Sequence, residues 1–120
     1  MKAISIRQPY AHLILEGLKR DEFRSWTTDY RGPLLIHAGQ KIDELDGLTR
    51  RQLAAIPDEL DTGGFLGIVD LVHIKDWFDV DYQATEYVWR FANPRRIVPV
   101  AANGRLRLFD APDKIALNLI

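Results

Sequence analysis

The stretch GLKRDEFR, residues 17–24, follows a short apolar helical pattern and leads into a β-like run. Lys19, Glu22 and Arg24 place two cations and one carboxylate within six residues. Glu22 and Arg24 point to the same face of an extended segment, because side chains alternate along a strand, and Lys19 can reach that face from the preceding turn. The spacing fits a solvated charged turn. It also fits an anion or nucleobase site, in which Arg and Lys bind phosphate and Glu accepts from an amine.

Two flanking segments distinguish this stretch from an ordinary charged turn. SIRQPY precedes it at residues 5–10, and YRGPLLIHA follows it at residues 30–38. With the G-x-K-x-x-E-x-R spacing between them, the chain resembles the ASCH (ASC-1 homology) domain family, a relative of the PUA RNA-binding fold. Gly67-x-x-Asp70 and the 99–109 stretch also fit the closing strands of that family. The resemblance implies one α+β domain over residues 1–120, a small mixed β-barrel of PUA/ASCH type with two or three short helices.

The resemblance also implies a ligand cleft between the first helix and the barrel, lined by the G-x-K-x-x-E-x-R motif. Residues before the helix share the lip of this cleft, nearby cations add phosphate contacts, and an aromatic side chain forms a wall. The binding residues expected on this basis are Gln8, Lys19, Glu22, Arg24, Trp26, Arg31 and Lys41.

RNA is the partner that the resemblance implies, either single-stranded, structured or as a nucleotide-sized piece; single-stranded DNA is a second possibility. No cofactor is expected. An alternative is a small hydrolase or ribonuclease acting on single-stranded RNA or a modified nucleoside, with Lys19 and Glu22 as an acid–base pair and Arg24 holding the phosphate. Glu22 could equally be an ion-pair partner that fixes both cations. A distant branch of the family hydrolyses acetylated cytidine with a Thr three residues after the Lys, and here that position is Glu22.

Composition narrows the remaining classes of function. The 120 residues are 47% hydrophobic and 28% charged, as in an ordinary soluble globular chain. No apolar run approaches the ~18 residues of a membrane span, and the N-terminus enters a strand pattern rather than a signal peptide. The lack of Cys rules out disulfides and thiolate metal sites and fits a cytoplasmic protein. Three scattered histidines have no zinc-site spacing, and neither serine lies in a Gly-x-Ser-x-Gly elbow.

Charge is distributed unevenly along the chain. Residues 1–41 carry a net charge of +3, residues 42–92 carry −7, and residues 93–120 carry +3. If the two basic ends meet in the fold, they form a positive face on a chain of net charge −1. The acidic middle, with Trp77 and Phe78, leaves open a third possibility, a protein-interaction domain.

Hydrophobic patterning predicts more strands than helices. A first helix follows Pro9 and ends at Gly17, a broken helix covers residues 42–56 with a capping box at Thr49, and residues 76–85 form an irregular flap. A last helical turn falls within residues 112–119. The predicted strands are Lys2–Ile6, Glu22–Trp26, Leu34–Ala38, Phe65–Ile74, Tyr87–Phe91, Arg95–Val100 and Arg105–Phe109.

Overall fold

A computed structural model describes residues 1–120 as one mixed β-sheet with short helices. The strands are β1 (Lys2–Gln8), β2 (Asp21–Arg24), β3 (Gly32–Ile42), β4 (Gly64–Asp79), β5 (Ala84–Ala101) and β6 (Phe109–Asp110). The helices are α1 (Tyr10–Leu15), α2 (Arg50–Ala54) and a 3₁₀ helix, Asp113–Leu117. None of the helices has the length and apolar character that a membrane span requires.

The sheet is open. Its strand order is β2-β5-β4-β3-β1-β6, with β1 and β3 parallel and the other neighbours antiparallel. β2 and β6 end this order and do not pair with each other. The predicted mixed sheet with few helices is therefore confirmed, whereas its closure into a barrel is not.

Both faces of the central strands are buried. In β3, Leu34 and Ile36 belong to a larger core cluster that includes Trp89, and Leu35 belongs to a smaller cluster with Phe65 on the opposite face. This explains the near-continuous apolar run of β3, since a strand covered on both sides has no polar face.

Helix α1 ends where the glycine pattern predicts. Gly17 has a left-handed φ of 75°, its N–H donates to the carbonyl of Ile14, and the N–H of Leu18 donates to the carbonyl of Leu13. These two bonds form a Schellman motif, which satisfies carbonyls that the end of a helix leaves free. The chain therefore leaves α1 in a fixed direction, straight into the charged motif.

The largest departure from the sequence-based prediction is the β4–β5 hairpin. Residues 76–85 were expected to form an irregular flap, yet Asp76–Asp79 pairs with Ala84–Tyr87 and only the tip turns. The two strands predicted within 87–100 are one continuous β5. Long-range pairing thus overrides the weak strand propensity of Asp.

Two smaller segments also differ. Within residues 42–56, only Arg50–Ala54 is helical. The predicted capping box is present, since Thr49 and Gln52 form reciprocal hydrogen bonds. Residues 105–108 are not a strand, and β6 is confined to Phe109–Asp110. The chain between β5 and β6 is therefore a loop.

Candidate functional site

A cleft of about 480 Å³ opens between β1 and the start of α1 on one side and β2 with the end of β3 on the other. Its volume is in the range of small-ligand sites. The charged side chains that line the cleft come from β1, β2 and β3 and from the residue that follows β3. They are Arg7, Glu22, Arg24, Lys41 and Asp43.

Glu22 lies between the two cations of the motif. Its Oε1 is 3.8 Å from Lys19 Nζ, and its Oε2 is 3.5 Å from Arg24 Nη2. Oε1 also accepts a hydrogen bond of 3.2 Å from the N–H of Phe23. The side chain is only 14% exposed. Both carboxylate oxygens thus have partners, and Glu22 holds Lys19 and Arg24 in place.

Arg24 connects the motif to β1. Its Nη2 donates a hydrogen bond of 3.0 Å to the carbonyl oxygen of Ser5, and the same nitrogen faces Glu22. The Arg24 side chain is 25% exposed and lines the cleft. A guanidinium fixed by two partners keeps its remaining N–H groups in a defined orientation, which suits recognition of a carboxylate or phosphate.

Lys19 lies behind the cleft. Its Nζ donates to the carbonyl of Asp21 and is 5.8 Å from the ring centroid of Tyr10, a cleft residue. Lys19 itself lines a second cavity of about 450 Å³ on the far side of the motif, together with Gly17 and Arg90. Its charge can act on the cleft through Glu22 and Tyr10.

Two further cations face the cleft from β1 and β3. Arg7 Nη1 lies 3.3 Å from Asp43 Oδ1, so this arginine is paired. Lys41 is exposed and makes neither a salt bridge nor a side-chain hydrogen bond. The cleft lining holds three cations and two carboxylates, and Lys19 behind it adds a fourth cation, so the site is positive in a chain of net charge −1.

Besides Lys19, three of the residues predicted from the sequence lie outside the lining of the cleft. Gln8 is fully buried, since its Nε2 donates to the carbonyl of Asp61 (2.8 Å) and its Oε1 accepts from the N–H of His12 (2.9 Å). Trp26 packs edge-on against Trp89, with ring centroids 4.8 Å apart. Arg31 donates to the carbonyls of Thr28 and Tyr30 in its own loop. None of the three lines the cleft.

Sequence reasoning missed Arg7 and Tyr10 as cleft residues. Both lie inside the SIRQPY segment, and their positions either side of the buried Gln8 were the available signal. Side chains alternate between the two faces of a strand, so Arg7, which follows the buried Ile6, lies on the opposite face of β1. What the sequence did not indicate is the approach of Asp43, which follows β3, lines the cleft and pairs with Arg7.

A hydrogen-bonded Ser–His pair adjoins the cleft. Ser5 Oγ lies 3.0 Å from His37 Nδ1, and His37 Nε2 lies 2.7 Å from the carbonyl oxygen of Ala102. A carbonyl only accepts, so Nε2 carries the proton and Nδ1 accepts from the serine hydroxyl. His37 is only 2% exposed. Because both ring nitrogens of His37 are engaged in these hydrogen bonds, we assign His37 a structural role.

Comparison with known proteins bears on the fold and the family. The chain is 31% identical to human and 30% identical to mouse activating signal cointegrator 1, each over 90% of the chain. It spans about a fifth of those relatives, 22% of their length.

The structure of ASCH from Zymomonas mobilis has a similar fold, with a TM-score of 0.64 over 94% of this chain and 88% of that one, at 12% identity. Its S128A variant gives a TM-score of 0.65 over 94% of this chain and 89% of the other, also at 12% identity. The family model of the ASCH domain matches residues 4–102. The chain therefore belongs to the ASCH domain family.

Proposed function

We propose that the cleft binds RNA, either single-stranded, structured or as a nucleotide-sized piece, by its phosphates. The observation that carries this proposal is the excess of cations along one cleft, of which Lys41 has no ionic partner and Arg24 is held in a fixed orientation. Phosphate contacts supply most of the affinity of such sites and leave them sensitive to salt. Membership of a family related to the PUA RNA-binding fold supports the same conclusion.

The roles of the motif residues differ. Arg24 and Lys41 contact phosphate, and Lys19 is a positioning residue that acts through Glu22. Glu22 orders the two cations, and because each carboxylate oxygen has more than one lone pair, it can also accept from an amine of a base. Tyr10, partly exposed at the cleft, offers a ring for stacking.

The proposal is tested by measuring fluorescence anisotropy of a labelled single-stranded RNA of about eight nucleotides across about 50 to 200 mM salt. The wild type should bind, and Lys41→Ala should lower the affinity and reduce the slope of log K against log salt by about 0.7, the value for one contact to a single strand. Arg50→Ala is the matched control, because Arg50 is exposed on α2 and does not line the cleft. Absence of salt-dependent binding by the wild type, or equal slopes for Lys41→Ala and Arg50→Ala, would refute the proposal.

A hydrolase or ribonuclease remains the alternative activity of the same cleft. It would use Lys19 and Glu22 as an acid–base pair, but both Glu22 oxygens are engaged by neighbouring cations or an N–H. Glu22→Gln separates the two functions. We expect this variant to bind RNA more weakly, with no change in any RNA turnover that the wild type shows. If the variant instead keeps RNA binding and loses turnover, the protein is an enzyme that uses Glu22.

The tip of the β4–β5 hairpin favours a second function, docking of a basic protein. Trp77 and Phe78 are 46% and 56% exposed, and Tyr82 at the turn is 83% exposed. Residues 76–89 contain four carboxylates and no Lys or Arg. Trp77 also lines a pocket with Lys75 and Arg90, so the negative charge is concentrated at the turn, where Tyr82 follows Asp79 and Asp81. Exposed aromatic side chains next to carboxylates complement a partner surface rich in Lys and Arg.

A synthetic Lys/Arg-rich peptide provides a direct probe of this second function. Binding should be lost in Trp77→Ala/Phe78→Ala and kept in Phe23→Ala, whose side chain is equally exposed but lies outside the tip. If the double variant binds the peptide as tightly as the wild type, the hairpin tip is not the docking surface.

A further inference from the structure

The loop between β5 and β6, residues 102–108, contacts one residue of the cleft, Ser5, through Gly104. A Cβ built on Gly104 would overlap the hydroxyl of Ser5 and lie 2.8 Å from the ring of His37. Ser5 lines the cleft, so the loop rests against a cleft residue. The absence of a side chain at Gly104 permits this close approach.

The end of the loop that leads into β6 contacts Trp26, in the segment that follows β2. The guanidinium carbon of Arg107 lies 5.4 Å from the ring centroid of Trp26, a cation–π contact two residues beyond Arg24. Arg107 adopts a left-handed backbone with φ of 58°, which is uncommon for a residue other than Gly. The basic C-terminal segment thus meets the basic N-terminal segment at this loop.

The charges of the loop are unpaired. Arg105 and Arg107 make no salt bridge, and residues 102–108 contain no carboxylate. Leu106, between them, is 92% exposed. By contrast, Arg7 and Arg24 inside the cleft are each paired with a carboxylate. The loop therefore carries two guanidinium groups without a carboxylate partner, Arg107 held over the ring of Trp26, and each keeps N–H donors for an anion.

We propose that Arg105 and Arg107 form a second phosphate-binding element, so that the RNA ligand extends out of the cleft and along the loop. This inference rests on the proposed RNA-binding function. A cleft of about 480 Å³ has the volume of a small-ligand site, so it holds only a short part of a strand. The next phosphates of a bound strand then meet the two arginines, whose planar guanidinium groups match phosphate oxygens. The ligand class is a single-stranded oligonucleotide rather than a mononucleotide.

The test compares a labelled dinucleotide with single-stranded RNA of about eight nucleotides. Arg105→Ala/Arg107→Ala should lower the affinity for the longer RNA about tenfold at low salt and reduce its salt slope by about 1.4, or 0.7 for each of two contacts. Its affinity for the dinucleotide should stay within about twofold of the wild type, since only the longer strand reaches the loop. Arg50→Ala/Arg51→Ala removes the same net charge from α2 and should leave both ligands unaffected.

Two more variants separate charge from loop conformation. Arg107→Gly combined with Arg105→Ala keeps the left-handed backbone accessible and should behave like the double alanine variant. Arg105→Lys/Arg107→Lys keeps both charges and should retain most of the salt slope. If the double alanine variant matches Arg50→Ala/Arg51→Ala with the longer RNA, or loses dinucleotide affinity equally, the loop inference fails. If the wild type binds no RNA at all, the proposed function itself fails.

Discussion

The guanidinium of Arg24 donates a hydrogen bond of 3.0 Å to the main-chain carbonyl of Ser5. β2, which ends at Arg24, and β1, which contains Ser5, are not neighbours in the sheet. A side chain of the charged motif therefore bridges two strands that the backbone does not pair. The same bond forms part of the cleft, so the architecture and the candidate site depend on one residue.

Arg24→Ala should destabilise the fold as well as weaken RNA binding. The change removes a charge-assisted hydrogen bond and leaves Glu22 with one cation, at a cost of about 1–2 kcal/mol after allowance for partial exposure. Urea unfolding measures this difference. Arg50→Ala, which breaks no salt bridge or side-chain hydrogen bond, should change the unfolding free energy by less than about 0.5 kcal/mol; equal losses in the two variants would contradict the bridging role.

Gln8→Leu should cost stability without altering the cleft. The substitution leaves the N–H of His12 and the carbonyl of Asp61 without their side-chain partners inside the protein, which costs about 2–3 kcal/mol. Equilibrium urea unfolding gives the loss, and anisotropy on the folded variant should give wild-type RNA affinity. Gln40→Leu, at an exposed position, serves as the stability control. A folded Gln8→Leu variant with lowered affinity would show that Gln8 contacts the ligand.

Ser5→Ala should be mildly destabilising and catalytically silent. It leaves the buried Nδ1 of His37 without a donor, at a cost of about 1–2 kcal/mol. Because both His37 nitrogens are committed to structural bonds, any hydrolysis of RNA by the wild type should persist in the variant. Thermal or urea unfolding and a product assay on the same preparation check both statements. Loss of turnover with normal stability would identify Ser5 as a nucleophile.

Local rules predicted those parts of the chain whose partners lie close in sequence. Gly17 ends α1 through bonds to residues three to five positions away, and Thr49 caps α2 through Gln52. Both follow from helix-end chemistry alone. Strand β1 also agrees with the alternation of its apolar residues, and β3 agrees with its near-continuous apolar run.

Features that depend on residues distant in sequence could not be predicted from local rules. The hairpin extension at Asp76 pairs with Tyr87, and Trp26 turns to Trp89 instead of the cleft. Gln8 looked like a lip residue because the sequence does not show the carbonyl of Asp61, which it binds. The single-domain extent over residues 1–120 and the cytoplasmic location stay predictions.

Gly17 offers a test of how the fold presents the motif. A Cβ there would meet only Pro94 Cγ, at 3.9 Å, so space is available. The φ of 75° is nevertheless unfavourable for an L-residue, and Gly17→Ala should cost about 1–2 kcal/mol. Asn tolerates left-handed backbone better than Ala, so Gly17→Asn should lose less.

Gly39→Ala is the control for this series. Gly39 has no atom within 4 Å of a built Cβ and no left-handed φ, so its substitution should not destabilise the fold. Urea unfolding should therefore rank stability as Gly39→Ala, then Gly17→Asn, then Gly17→Ala. If Asn and Ala at position 17 were equally destabilising, the loss would have to come from side-chain contacts, and the left-handed turn would not be what directs Lys19 towards Glu22.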